Sequence, residues 1–422
     1  MTGAGRGWRA VLLAISSGAA GLLAMAVAAS AALYAVFGHL LKQPNTEPQD
    51  VLAVFLVCTS VAFIGALLLT TAYRASGVLR GQPDPSITTS IPRLREVSLL
   101  LALWIASSAI AQIVAAVEGW RWLAPLLHLL AIGAPVYLLL RLGIGGIRGG
   151  SRLRLWGILA TGLVLGTGLA AAVEIGLLVL GISVGSVYLL LNPDRLHAFQ
   201  SLVLQLGQIS RPEEMLPLLE SWLARPFTLL LILAAVSGVA PIVEELAKST
   251  AAWLVYDRLS TRAQGFWCGA LSGAGFAFFE GLVASTDASQ SWAFILLVRG
   301  ASSLMHILAS ALVGWGIAAW RQSGKVAHLL GGYAVGIGLH ALWNASIVAL
   351  AFGGFRLVNP GSDLDVLGLV TGAAGGLGLL ALLTLMPLAL FVLNRRLRSP
   401  LPDLAARTPG PDSQQPIRSL ED

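Results

Sequence analysis

The chain predicts an all-α, polytopic bundle of about ten transmembrane helices, and three features of the sequence carry that prediction. Of its 422 residues, 56% are hydrophobic and only 11% are charged, with a mean hydropathy of +0.79. A soluble domain carries about 25% charged residues, so lipid must replace water around most of this surface. Apolar runs long enough to span a bilayer recur along the whole chain. The Arg and Lys residues, finally, fall in alternate loops, as the positive-inside rule requires.

A spanning helix needs ~20 mainly apolar residues. The runs that meet this are 11–37, 51–73, 97–117, 122–141, 156–183, 227–253, 265–284, 292–320, 328–352 and 367–393. The first is too long for a signal-peptide core and has no clear cleavage context, so it is kept as a helix. With Arg6 and Arg9 inside, the inside loops carry Arg74, Arg80, Arg93 and Arg95, then Arg141, Arg148, Arg152 and Arg154. Later inside segments hold Arg258, Arg262, Arg321, Lys325, Arg395, Arg396 and Arg398. The outside loops hold little beyond Lys42, Arg121 and Arg356, so both termini are expected on the cytoplasmic side of the membrane. Residues 156–191 form an apolar run of 36, which is ~54 Å as one helix; its last third is expected to be re-entrant or interfacial.

Two segments are not expected to span. Residues 192–225 set Asp194, Arg195, His197, Arg211, Glu213, Glu214 and Glu220 among leucines, the pattern of an amphipathic helix on the outer interface. The proline-rich residues 395–422 suit a disordered cytoplasmic tail. The organisation is therefore 1–225 as an N-terminal membrane region, 226–352 as a polar-bearing core of four spans, 353–394 as a last span, and the tail. Cys58 and Cys268 lie in apolar runs, which excludes a disulfide framework, and two thiolates are too few for a four-cysteine zinc site. The net charge of +6 sits in short loops and at the ends, a topology signal rather than a nucleic-acid surface.

The core is where chemistry is expected. An ionisable group near the bilayer centre costs ~2.5–3.5 kcal/mol on insertion scales, yet residues 240–350 hold several. Glu244 and Glu245 both reach Lys248, at four and three residues along one helical face. Lys248 can neutralise one carboxylate and leave the other as a proton acceptor or metal ligand; the bland alternative is a buried ion pair between helices. Pro241 just before them should loosen the helix and free carbonyls. His340 and Asn344 share a face and can donate to one oxyanion, or simply bond to a neighbouring helix. His306 is followed by Ser310 on the same face, where the serine can orient the imidazole, and Arg299 lies two turns earlier.

Glu280 ends a helix marked by Gly265, Gly269 and Gly273, a small-residue ridge for close packing. Its expected partners are His306 and His340, and the three together can hold a metal or a water. Phe276, one turn before Glu280, should wall the site against lipid. His128 is expected to be structural, His39, His197 and His328 to lie near span ends, and Glu174, an intramembrane charge outside the core, has no assigned role.

In order, Glu244-Glu245-x-x-Lys248, Phe276-x-x-x-Glu280, His306-x-x-x-Ser310 and His340-x-x-x-Asn344 resemble the motifs of the PrsW family of bacterial intramembrane proteases. That family is related to the CAAX prenyl proteases and other Abi-type membrane proteins. The CAAX branch has Glu-Glu-x-x-x-Arg and Phe-x-x-x-His, so the match is to the PrsW branch, over about residues 226–350. The resemblance implies an Abi/CAAX-protease-like core that hydrolyses peptide bonds in or beside the membrane. Glu244 would activate water with help from His306, Glu245 would pair with Lys248, and His340 and Asn344 would stabilise the oxyanion. Glu280 stands where the CAAX pattern has histidine, so its role is open. If a metal is present, Glu244, Glu280, His306 and His340 would hold it, with zinc the fitting ion. The same groups can also work without metal, and the balance falls slightly toward no tightly bound zinc. Substrates would be single-span membrane proteins such as anti-sigma factors.

Other protease signatures are missing: there is no His-Glu-x-x-His, no Gly-x-Gly-Asp after Tyr256-Asp257, and Gly269-x-x-Ser272-Gly273 is off the rhomboid pattern. The rivals are a proton-coupled transporter or channel built on the buried Glu, Lys and His, and a non-catalytic scaffold of the same fold. Confinement of the polar groups to four consecutive spans favours a local site over a conduction path.

Overall fold

The computed structural model describes residues 4–40, 48–207, 226–286, 291–358 and 365–398. It is 90% helical and contains ten helical stretches long and apolar enough to cross a membrane. In chain order these are α1 (Ala4–Leu40), α2 (Pro48–Leu79), α3 (Leu94–Ala116) and α4 (Ala124–Ile144), the last preceded by a 3-10 turn (Glu118–Leu123). The fifth joins α5 (Arg152–Ala160), a π-helical turn (Thr161–Gly166) and α6 (Thr167–Leu190). An exposed helix, α7 (Pro193–Gly207), follows. The sixth joins α8 (Pro226–Ile232), a second π-helical stretch (Leu233–Val239) and α9 (Ala240–Leu254). Then come α10 (Arg262–Ala284), α11 (Trp292–Ser323), α12 (Val326–Val358) and α13 (Val366–Leu397).

Several expectations are corrected. The long fifth run stays helical through Leu190, because its backbone groups can be satisfied in lipid only within a helix; no re-entrant piece breaks it. In the polar segment 192–225 the expected helix is present as α7, and residues 208–225 lie outside the described residues. α12 runs past the expected boundary at 352, to Val358, and α13 past that at 394, to Leu397; residues 399–422 of the expected tail lie outside the described residues. A short antiparallel ribbon, β1 (Ser86–Thr88) with β2 (Arg148–Ser151), was not expected.

α10 and α11 form the centre, with 83% and 67% of their spanning windows buried. The glycine ridge explains why these two, rather than more hydrophobic helices, are innermost. A side chain at Gly265 would meet the Gly314 carbonyl, one at Gly269 the Ser310 carbonyl, and one at Gly273 the His306 carbonyl. Absence of those side chains lets α11 lie directly on α10, and large residues such as Trp267, Phe266 and Leu271 fill the remaining core. His128 is fully buried, its Nε2 2.7 Å from the Ser285 hydroxyl. At one end of the bundle the arginine-bearing loops join: Arg9 pairs with Asp257 at 3.0 Å, Arg154 donates to the Arg258 carbonyl at 3.1 Å, and Arg321 donates to the Asp257 carbonyl at 2.9 Å.

Candidate active site

The polar residues of the core converge between α9, α10, α11 and α12. α9 brings Glu244, Glu245 and Lys248 to one face, as their spacing requires. Lys248 is fully buried and its ammonium donates to Glu244 Oε2 at 2.9 Å and Glu245 Oε1 at 2.8 Å. Its third contact is His306 Nδ1, also at 2.8 Å. An ammonium has three protons and no lone pair, so His306 Nδ1 must accept. In the neutral imidazole the proton then sits on Nε2, which donates to Glu280 Oε2 at 2.8 Å. The Phe276 ring lies over the same ammonium, 4.1 Å from nitrogen to centroid, and packs with Ala170 of α6.

Glu245 is sealed inside. Besides Lys248 it accepts from Ser310 Oγ at 2.9 Å and from His340 Nδ1 at 3.0 Å. Ser310 therefore braces Glu245 instead of orienting His306, because the close approach of α10 and α11 points its hydroxyl toward α9. With the His340 proton on Nδ1, the Nε2 lone pair is left facing Glu244 Oε2 at 3.8 Å. Glu244 differs from its neighbour in one decisive respect: its side chain is 13% exposed, against 0% for Glu245.

Two expected neighbours are placed differently. Glu280 is held by His306 and by Arg299 Nη1, at 2.7 Å, instead of by His340. Arg299 lies two turns before His306 on α11, and the signal that could have placed it was its burial cost in a spanning run. Asn344 reaches the carbonyl of Val236 at 2.8 Å, in the π-helical stretch just before Pro241. That stretch is the loosening which Pro241 leads one to expect, and π-helical turns recur at functional sites. One Asn344 N–H is thereby engaged and the other remains available.

Three carboxylates, Glu244, Glu245 and Glu280, thus face two permanent cations, Lys248 and Arg299, leaving the cluster negative when both imidazoles are neutral. Glu244, His306 and His340 each offer one ligand atom, all within 4.8 Å of one another. Two histidines and a glutamate are a catalytic zinc donor set, so these residues fit such an ion. Glu280, expected among the ligands, stands outside that trio because Arg299 and His306 hold it. Lys248 competes for the same lone pairs on His306 and Glu244. Zinc content of the purified Lys248→Met chain, measured by plasma emission, is therefore expected to exceed that of wild type; equal contents would show that the ammonium does not compete.

A profile of the PrsW family, described as intramembrane metalloproteases, matches residues 154–369, just over half of the 422. The match takes in α5 and α6, beyond the 226–350 expected from the motifs. No curated protein and no solved structure matches the chain. With ten apolar helices among its described residues and its buried Glu, Lys and His cluster, the chain belongs to the PrsW family of intramembrane proteases and is a multi-pass integral membrane protein.

Proposed function

We propose that the chain cuts single-span membrane proteins, with anti-sigma factors as the expected class, using Glu244 as the base that activates water. The observation that carries this reading is the contrast between adjacent carboxylates: Glu245 is sealed and fully bonded, while Glu244 is held from one side by Lys248 and partly open on the other. A water on the open side would give a proton to Glu244 as its oxygen bonds to the scissile carbonyl carbon. The carbonyl electron pair moves to oxygen, and collapse of that oxyanion breaks the C–N bond as the amine takes the proton. His340 donates to the oxyanion in its protonated form, with Glu245 behind Nδ1 to stabilise the imidazolium, and the free N–H of Asn344 adds a second donor. Were Glu244, His306 and His340 to hold a zinc, their lone pairs would be committed to it, and the ion would supply carbonyl polarisation and water activation in place of these proton transfers.

Confinement of the ionisable groups to neighbouring helices favours a local site over a conduction path, and aromatic side chains pack beyond them. Trp253, Tyr256 and Trp320 pack together with centroids 5.6–5.9 Å apart at the arginine-bearing end, which we take as cytoplasmic. Trp253 and Ser249 are tied there to the Tyr333 hydroxyl at 3.0 and 2.6 Å. New protein N-termini in membranes of cells carrying wild type, Glu244→Gln or His340→Ala at matched levels test the reading. Cleavages in or near transmembrane segments should appear with wild type alone; identical N-termini in all three would sink it in favour of the scaffold or transport alternatives.

A further inference from the structure

Glu174 belongs to none of the motifs, yet α6 aims it at the site. Gly166, Ala170 and Glu174 are four residues apart and form one stripe. At Gly166 a side chain would stand 3.6 Å from Lys248 Cα and 3.7 Å from the Phe276 ring. Ala170 packs with Ala247 and Phe276, and Val243 lies against them. Because α6 and α9 run antiparallel, the next turn of the stripe sets Glu174 level with Glu244.

Exposure agrees with this placement: from residue 171 to 184, every residue except Glu174 is exposed. Its carboxylate lies in electrostatic range of Glu244, Glu280, Lys248 and His340. Oε1 is buried and accepts no hydrogen bond among the described residues. The two cations of the cluster are already outnumbered by its carboxylates, so Glu174 is not explained as one half of an ion pair. No donor described in the cluster reaches Oε1, which leaves that atom open to a group brought in by a bound partner.

A peptide bond cannot be hydrolysed while it is locked in a transmembrane helix. Unwinding it releases main-chain N–H groups that the bilayer cannot satisfy. Given the peptidase reading above, we propose that Glu174 accepts a main-chain N–H of the unwound substrate beside the scissile bond, and so helps the site open a substrate helix. Its contribution is greatest for substrates whose cleavage segment has no Gly or Pro to weaken the helix.

The test compares new N-termini in cells expressing the full chain as wild type, Glu174→Ala, Glu174→Gln or Glu244→Gln, at matched levels. Glu174→Ala should lower cleavage about tenfold, the size of one hydrogen bond, at sites with no Gly or Pro within a turn. Sites that contain one should be affected far less. Glu174→Gln, whose amide oxygen still accepts, should recover most of the loss. Equal losses at both kinds of site, no loss at either, or a Gln variant as weak as Ala would overturn the assignment. If no N-terminus distinguishes wild type from Glu244→Gln, the peptidase reading itself fails, and the role of Glu174 with it.

Discussion

Glu244→Gln should reduce cleavage by about 10²–10⁴-fold, the usual contribution of a positioned general base, and leave the fold nearly unchanged. Gln is the same size and its carbonyl can still accept from Lys248, whose charge Glu245 continues to balance at 2.8 Å. Glu245→Gln is chemically the same exchange one residue along, with a different expected outcome. That carboxylate accepts from Lys248, Ser310 and His340 in a fully buried position, so its loss should cost about 1–3 kcal/mol of stability. Both Tm and cleavage should fall. Thermal unfolding of the detergent-purified variants beside a cleavage assay separates the two: activity lost at constant Tm for Glu244, activity and Tm lost together for Glu245. If Glu244→Gln retained activity, or if the two variants lost stability equally, the division of labour between base and brace would be wrong.

The spans were legible because lipid imposes a rule on every residue it touches: each of the ten expected runs overlaps an observed apolar helix. The same rule marked Glu244, Glu245, Lys248, Glu280, His306 and His340, whose ionisable or polar groups have no reason to sit in apolar helices unless they meet. Helical spacing then fixed the contact of both glutamates with Lys248. What the sequence could not carry is which helix faces which. Ser310 shares a helix face with His306, yet its partner, Glu245, comes from another helix 65 positions away. The same lack hid the Arg299–Glu280 pair and drew Asn344 toward the site instead of the Val236 carbonyl. The β1–β2 ribbon escaped because its short strands carry no alternation, only loop residues such as Gly149 and Gly150. Glu174 is legible as an isolated charge, but its direction depends on the packing of the Gly166–Ala170 stripe against α9, which spacing within one helix does not encode.

A second large effect is expected far from any ionisable group. At Gly269 even a methyl would land on the backbone of Ser310 and Ala311, and backbone cannot rotate away as a side chain does. Gly269→Ala must therefore push α11 off α10, at a cost of about 1–3 kcal/mol for overpacking. The displacement also has a chemical consequence, because Glu280 is carried by α10 and its partners His306 and Arg299 by α11. Separating the two helices draws that carboxylate away from His306 Nε2 and moves Ser310 relative to Glu245. Cleavage should then fall by more than the loss of folded protein explains. Gly331→Ala on α12 is the matched control: a side chain there meets nothing within 4 Å, and alanine is the better helix former. Its Tm should hold or rise, with cleavage unchanged. Should Gly269→Ala behave like Gly331→Ala in both unfolding and cleavage, close contact along the glycine ridge would not be what sets the distance between Glu280 and His306.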